Sequence, residues 1–387
     1  MKVTVAMDSF KGSLTSIEAG EAVKRGILKA RPDAEVTILP LADGGEGTLD
    51  CIAPYIGGEE IRLKVTGPLG APIDSSYIYD RENGTAYIEM AKASGLTLIS
   101  EDERDPYLTT SYGTGELILD AVEKGASSLF IFIGGSATND GGAGMLQALG
   151  ARLTDAEGNE IRQGAIGLKD LAAVDLSGLA AVDISGIDIG ILSGLTEEEL
   201  SGLAGCNLEI TVASDVTNPL CGPDGASFVY GPQKGASPEA CENMDKWLKH
   251  FAELSGYDPF EAGTGAAGGM SFALKNFLGA EIRSGAEIVT EITDVETRIC
   301  GSDVVITGEG RMDGQTVNGK APFRILELGL EYGKPVHGIC GIAGEGSDEC
   351  LKAGFRSVNP LIVPVMEREE AIKSVEDTAR ELFSHIM

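Results

Sequence analysis

The chain is short of positive charge, of histidine and of long apolar runs, and each shortage removes a class of function. Its 387 residues carry 60 acidic side chains against 30 basic ones, a formal charge of −30. So acidic a chain repels nucleic acid and anionic membranes, and an anionic substrate must meet local positive charge or backbone N–H donors. The histidines are His250, His337 and His385, each alone in an apolar pattern; without HExxH or a Cys/His cluster, no zinc site is expected. No GxSxG marks a nucleophile elbow. The 7 cysteines are odd in number and form no CxxC, which reads as reduced thiols in a cytoplasmic protein. The longest apolar runs, such as Leu129–Ile133, fall far short of a membrane span, and MKVTVAMDSF is too short an apolar start for a signal peptide.

Glycine, by contrast, is abundant: 53 of 387 residues, twice the usual share of about 7%. With 43% apolar residues the chain folds, so the excess glycine belongs to ordered turns or ligand loops. The length suits two or three domains of roughly 150 residues each.

The ends of the chain share one style. Val3–Met7 reads as a buried strand, and Thr15 with Glu18 forms a capping box before a helix that Pro32 ends. A strand over Glu35–Leu39 follows, then a helix opened by Asp43-Gly-Gly-Glu46 and ended by Gly57-Gly58. After about residue 300, strands at Asp303–Thr307, Val336–Ile339 and Ser357–Val363 alternate with helices. Between the two, short strands and the Asn83-Gly84 hairpin signal give way to a strand at Ser128–Ile133, a glycine loop and a helix. Residues 164–205 repeat a phrase once (Ala-Ala-Val-Asp-Leu-Ser-Gly-Leu, then Ala-Ala-Val-Asp-Ile-Ser-Gly-Ile) and read as a surface excursion. The expectation is an α/β protein of two domains. A discontinuous flavodoxin/Rossmann-like domain, 1–58 plus 295–387, accepts an inserted mixed α/β domain, 59–294. The active site is expected in the cleft, at strand carboxyl ends.

Candidate site residues lie in glycine-rich loops that follow strands, where backbone N–H groups and a helix N-terminus favour an anion. The richest holds Gly134, Gly135, Ser136, Thr138, Asn139, Asp140, Gly141 and Gly142; a plain turn needs fewer glycines and no carboxylate. After the first strand, Asp8 and Ser9 precede Lys11, placed to meet an anion, although a solvated loop fits equally. Asp43, Gly44 and Gly45 form a similar loop, in which Asp43 serves equally as a helix cap. Arg311 with Asp313 suits an anion and Mg²⁺, Asp215 follows another strand, and Lys234 adds a cation in a turn. Each of these three, taken singly, is matched by an ordinary solvated turn. Together, aspartates at strand ends beside glycine cradles suit phosphoryl transfer. Two other motifs mislead. Gly263-Thr-Gly265-Ala-Ala-Gly268 spells GxGxxG without a strand before it, and Gly314–Lys320 spells GxxxxGK with Ala321 in place of Ser or Thr. A nicotinamide-dependent dehydrogenase and a non-enzymatic metabolite sensor are the competing classes.

DSFKGSLTS, LADGGEGT, VTGPLG, IEMAKASGL, TTSYGTGELI, IGGSATNDGGAGMLQALG, SDVTNPL, GASFVYGPQKGA, GAAGGM and VITGEGRMDGQT-x-x-GKAP, in that order, resemble the bacterial glycerate kinase family. The resemblance spans residues 3 to about 345. It implies ATP- and Mg²⁺-dependent phosphorylation of D-glycerate to 2-phosphoglycerate, with 3-phosphoglycerate the alternative product. Met7 stands where the family usually has proline, and 178–205 is longer than usual. On this reading the candidate catalytic residues are Asp8, Lys11, Asp43, Asp140 and Asp215. Asp8 or Asp215 would be the base or a metal ligand, and Asp215 and Asp313 the Mg²⁺ ligands. Lys11, Arg311 and Lys320 would meet the glycerate carboxylate and the transferring phosphate. Gly134–Gly142 would form the main cradle, and Ser9, Gly44, Gly45 and Lys234 would add contacts. Partners would be D-glycerate, with no nucleic acid and no membrane; monomer and homodimer both remain open.

Overall fold

The computed structural model describes residues 1–10, 13–42, 44–181, 208–317, 320–362 and 367–386. Lys11, Asp43, residues 182–205 of the expected surface excursion and the last residue of the expected strand to Val363 lie outside the described residues. The fold is α/β. Its strands are β1 Lys2–Met7, β2 Glu35–Ile38, β3 Glu59–Thr66, β4 Pro72–Asp80, β5 Thr85–Glu89, β6 Ser128–Phe132 and β7 Arg152–Thr154. Then follow β8 Ala173–Asp175, β9 Glu209–Ala213, β10 Glu281–Arg283, β11 Val304–Met312, β12 Val336–Ala343 and β13 Ser357–Pro360. No helix among the described residues is long and apolar enough to cross a membrane.

The chain divides into two compact units. The first is Met1–Asp43, Asp50–Tyr55 and Ala286–Met387; the second is Gly44–Leu49 and Ile56–Gly285. The first unit holds a five-stranded, wholly parallel sheet in the order β13-β12-β11-β1-β2. A parallel sheet must be covered on both faces, and the side-chain alternation does this. Val3, Val5 and Met7 of β1 pack with Val304 and Ile306 of β11 under the helices Ser16–Ala30 and Arg368–His385. Ala6, Val305 and Met312 face the helices Val295–Cys300 and Ala321–Glu331. The capping box forms as expected: the Glu18 N–H donates to Thr15 Oγ1 at 3.2 Å and the Thr15 N–H to Glu18 Oε2 at 2.9 Å.

Some expected strand ends move: β12 runs past Ile339 to Ala343, β13 stops at Pro360, and β11 lengthens where it matters to the site. The strand read as Asp303–Thr307 runs on to Met312, five residues into a stretch that its glycines suggest is a loop. Gly308 is needed there for close approach, not for a turn: a Cβ would lie 1.7 Å from the Ile339 carbonyl oxygen of β12. Glu309 and Arg311 therefore stand on a strand.

The second unit holds a mixed six-stranded sheet, β10-β9-β6-β5-β4-β3. The hairpin β4–β5 is antiparallel and turns at Gly84 with φ +63°, as the Asn-Gly signal predicts. From β5 through β6 and β9 to β10 the strands are parallel. Their register aligns Glu89, Phe132 and Ala213, so three neighbouring strands end together, and Arg283 of β10 ends opposite Ala213.

Candidate active site

In the second unit, the loop Gly134–Gly142 leaves the carboxyl end of β6 and opens the helix Ala143–Ala148. Backbone proximity explains its glycines: a Cβ at Gly134 would sit 2.4 Å from the Gly45 Cα, and the Gly134 N–H donates to the Gly44 carbonyl at 3.1 Å. Beneath the loop runs the misleading GxGxxG motif. No strand precedes it, which removes the dinucleotide reading. Its Gly268 accepts the Gly141 N–H at 2.9 Å, and a Cβ there would strike the Thr138 carbonyl at 2.0 Å. Those glycines exist so that two backbones can pass.

Asp140 is wholly buried, and its carboxylate organises the turn. Oδ2 accepts the Ser111 N–H at 2.9 Å, the Ser111 hydroxyl at 2.8 Å and the Gly144 N–H at 3.3 Å; Oδ1 accepts the Gly142 N–H at 3.1 Å. Burial pushes this carboxyl above the usual range, and the four donors pull the other way. Lys234 is also buried, 2% exposed, and its Nζ donates to Ser136 Oγ at 2.9 Å and the Thr138 carbonyl at 2.6 Å. Burial pushes the ammonium down to about 7, against the attraction of Asp140. Asn139 Nδ2 donates to Ser227 Oγ at 2.8 Å.

What the loop leaves unmade is equally informative. The backbone N–H groups of Gly135, Ser136, Thr138, Asn139 and Asp140 donate to no partner among the described residues, although Ser136–Asp140 are buried. Thr138 Oγ1 and Asn139 Oδ1 are likewise buried without a partner. Buried polar groups are nearly always paired, so these orphans make the loop the candidate ligand site.

Beside this loop's strand stand two groups the sequence hid, Glu89 and Arg283, and one it marked, Asp215. Glu89, at the end of β5 and 2% exposed, accepts the Gly47 N–H at 2.9 Å and the Leu49 N–H at 3.0 Å, and so fixes the Gly44–Thr48 loop. A carboxylate closing an otherwise apolar strand is the signal that marks it. Asp215 is exposed just past β9, where the Ser214 N–H donates to the Arg283 carbonyl at 2.9 Å. Arg283 came from a three-residue strand too short to show in the pattern.

The first unit carries a different cluster. Asp8 and Ser9 follow β1, and the Asp8 N–H donates to the Gly308 carbonyl at 2.8 Å. The overhanging end of β11 brings Glu309, 8% exposed, to the Thr316 hydroxyl at 2.8 Å and to Lys320 Nζ at 3.3 Å. Thr316 Oγ1 accepts the Asp313 N–H at 3.0 Å, and Arg311 Nε donates to Asp313 Oδ2 at 3.1 Å. The Gln315 N–H, with Lys320 and Arg311, holds the Asp313 carboxyl below the usual range. Glu309 is thus the buried anchor of Lys320 and, through Thr316, of Asp313, which Arg311 joins; it was hidden because its stretch reads as a loop.

The family model described as Glycerate kinase family matches residues 3–206 and 189–387. This chain belongs to the glycerate kinase family. A glycerate 2-kinase of Escherichia coli K12 is 44% identical over 382 residues, covering 97% of this chain and 94% of that protein. A glycerate kinase of Bacillus subtilis 168 is 42% identical over 396 residues, with 100% and 98% covered. A crystal structure from Salmonella typhimurium LT2, provisionally named glycerate kinase 2, is 43% identical with a TM-score of 0.77, covering 99% of this chain and 97% of that one.

Proposed function

We propose that the protein transfers the terminal phosphoryl group of ATP to a hydroxyl of D-glycerate, giving 2-phosphoglycerate. The single observation that carries the phosphate half of this reading is the set of N–H donors in the Gly134–Gly142 loop, those of Gly135, Ser136, Thr138, Asn139 and Asp140, that have no partner among the described residues. Its fit to a phosphate rests on those donors and on the orphaned Thr138 hydroxyl. The names of the relatives supply the acceptor.

The residues divide the work. The loop donors bind and orient a phosphate, where one preorganised donor is worth about 10²–10³ in rate. Arg311 and Lys320 suit the glycerate carboxylate or the transferring phosphate, with Lys320 aimed by Glu309. Asp8 or Asp215 is the base that takes the proton of the acceptor hydroxyl, a contribution of about 10²–10⁴. Asp140, with four donors on a buried carboxylate, serves the loop. Among the described residues no three His, Cys, Asp or Glu side chains converge on a metal position. Asp215 or Asp313, with nucleotide phosphates and water, would therefore hold Mg²⁺. When bound, Mg²⁺ supplies charge neutralisation to the phosphoryl group.

The reading extends to the fold. Counted within its own unit, the order β2-β1-β11-β12-β13 is the 2-1-3-4-5 of a flavodoxin-like sheet, whose reversal point lies between β1 and β11. Asp8 and Glu309 stand at that point, where such sheets bind ligands. The cytoplasmic location expected from the cysteine pattern is kept.

The test is ADP release from ATP with D-glycerate, with and without Mg²⁺, followed by phosphorus NMR of the product. Mg²⁺-dependent ADP tied to glycerate and a 2-phosphoglycerate signal are expected. No ADP with D-glycerate overturns the reading, and a 3-phosphoglycerate signal moves the position of transfer.

A further inference from the structure

Lys234 was expected from the sequence to touch phosphate. Its surroundings suit another role. The residue ends the short turn Pro232–Lys234, and Gly235 follows at φ +96° with no room for a Cβ, which would lie 2.2 Å from the Arg104 carbonyl oxygen. The turn is thereby fixed from outside the loop. From it the ammonium reaches inward to two points either side of Ala137: the Ser136 hydroxyl at 2.9 Å and the Thr138 carbonyl at 2.6 Å. Ala137 itself is tied by its N–H to the Ser94 carbonyl at 2.9 Å. The Thr138 carbonyl so gripped belongs to the peptide unit whose N–H, that of Asn139, has no partner among the described residues.

We propose that Lys234 is a positioning residue, a buried clamp that holds the Ser136–Asn139 backbone in the conformation that presents its N–H donors to phosphate. This deepens the reading of the loop as the phosphate cradle and rests on it. A buried ammonium is costly, and its cost is tolerable only where its bonds fix something. Asp140, fastening the far end of the loop to Ser111, is the charge that balances it. Holding donors in advance leaves no reorganisation for the moment of transfer, and this shows in kcat more than in KM.

The test pairs Lys234→Met with Lys234→Arg and Ser136→Ala. Amide hydrogen exchange is followed over 134–142 in the ligand-free protein, and kcat and KM are measured with ATP and D-glycerate. The clamp requires exchange at least tenfold faster in Lys234→Met, with kcat down about 100-fold and KM for ATP within about threefold. Lys234→Arg does not rescue, because a guanidinium does not fit the site of a compact ammonium; Ser136→Ala, which removes one arm, costs about tenfold. Unchanged exchange in Lys234→Met overturns the clamp. So does a rise in KM with kcat kept, the mark of direct contact, or full activity in Lys234→Arg. If Lys234→Met does not fold, Ser136→Ala decides: wild-type exchange and kcat there overturn the proposal. Exchange needs no turnover, so a wild-type protein inactive on glycerate would fail the proposed reaction while leaving the clamp to be judged on its own.

Discussion

The two units each carry a cluster at the carboxyl ends of parallel strands, and the clusters are built on opposite principles. In the first unit the chemistry lies in side chains: Arg311, Asp313 and Lys320 stand partly in solvent around one buried carboxylate, Glu309. In the second it lies in the backbone: unpaired N–H groups of a glycine loop, with the buried Asp140 and Lys234 spent on holding it. Exposed side-chain charges reach a ligand and add little to stability. Backbone donors must be held rigid, so the groups that hold them are buried and structurally costly to remove.

This comparison breaks first at the aspartates. Asp140 and Asp313 look alike in sequence, each in a glycine loop after a strand. Asp140→Ala leaves buried donors unpaired and is expected to destabilise by about 3 kcal/mol or more, whereas Asp313→Ala costs less than about 1 kcal/mol. Urea unfolding of both variants measures the gap; equal losses would erase the distinction. Next is Gly134→Ala, whose methyl group would overlap the Gly45 backbone. A loss of about 1–3 kcal/mol is expected, with nucleotide binding weakened, since the cradle has no slack.

A pH profile sharpens the contrast. Burial holds the Lys234 ammonium down to about 7 in the folded protein, against about 10.4 unfolded. Between those values the unfolded state binds the extra proton, so Lys234 makes stability rise with pH, by up to about 1.4 kcal/mol per pH unit. Its cost is full below about pH 7 and relieved above. The difference in unfolding free energy between wild type and Lys234→Met, followed from pH 6 to pH 10, should show that rise; a flat difference would mean a solvated lysine. The smallest effect is Arg311→Ala. Its pair with Asp313 is exposed, so stability should move by no more than about 0.5 kcal/mol while kcat/KM falls about tenfold. A large loss of stability would make the first cluster structural too.

How far the sequence was readable follows the same division. The glycine loop after β6 stood out because four glycines and an aspartate exceed what a turn needs. Its standing as a candidate was legible, but not its support. Asp140 reads as a catalytic carboxylate until Ser111, twenty-nine residues away, is seen to saturate it. Lys234 reads as a phosphate ligand until its turn folds under the loop. Such partners are set by tertiary contact, and no local spacing encodes them. Glu309 was hidden for the reverse reason: Gly308 and Gly310 look like loop residues, yet Gly308 is required by close strand pairing. The GxGxxG of Gly263–Gly268 is the same lesson, since glycine marks close backbone approach as readily as a ligand turn.

The central claim is that the N–H row at Gly134–Gly142 grips phosphate. Amide hydrogen exchange over that loop, with and without a non-hydrolysable ATP analogue and D-glycerate, tests it most directly. The account predicts slower exchange at residues 135–140 on adding the ligands. Unchanged exchange there, with protection appearing only elsewhere, would contradict it.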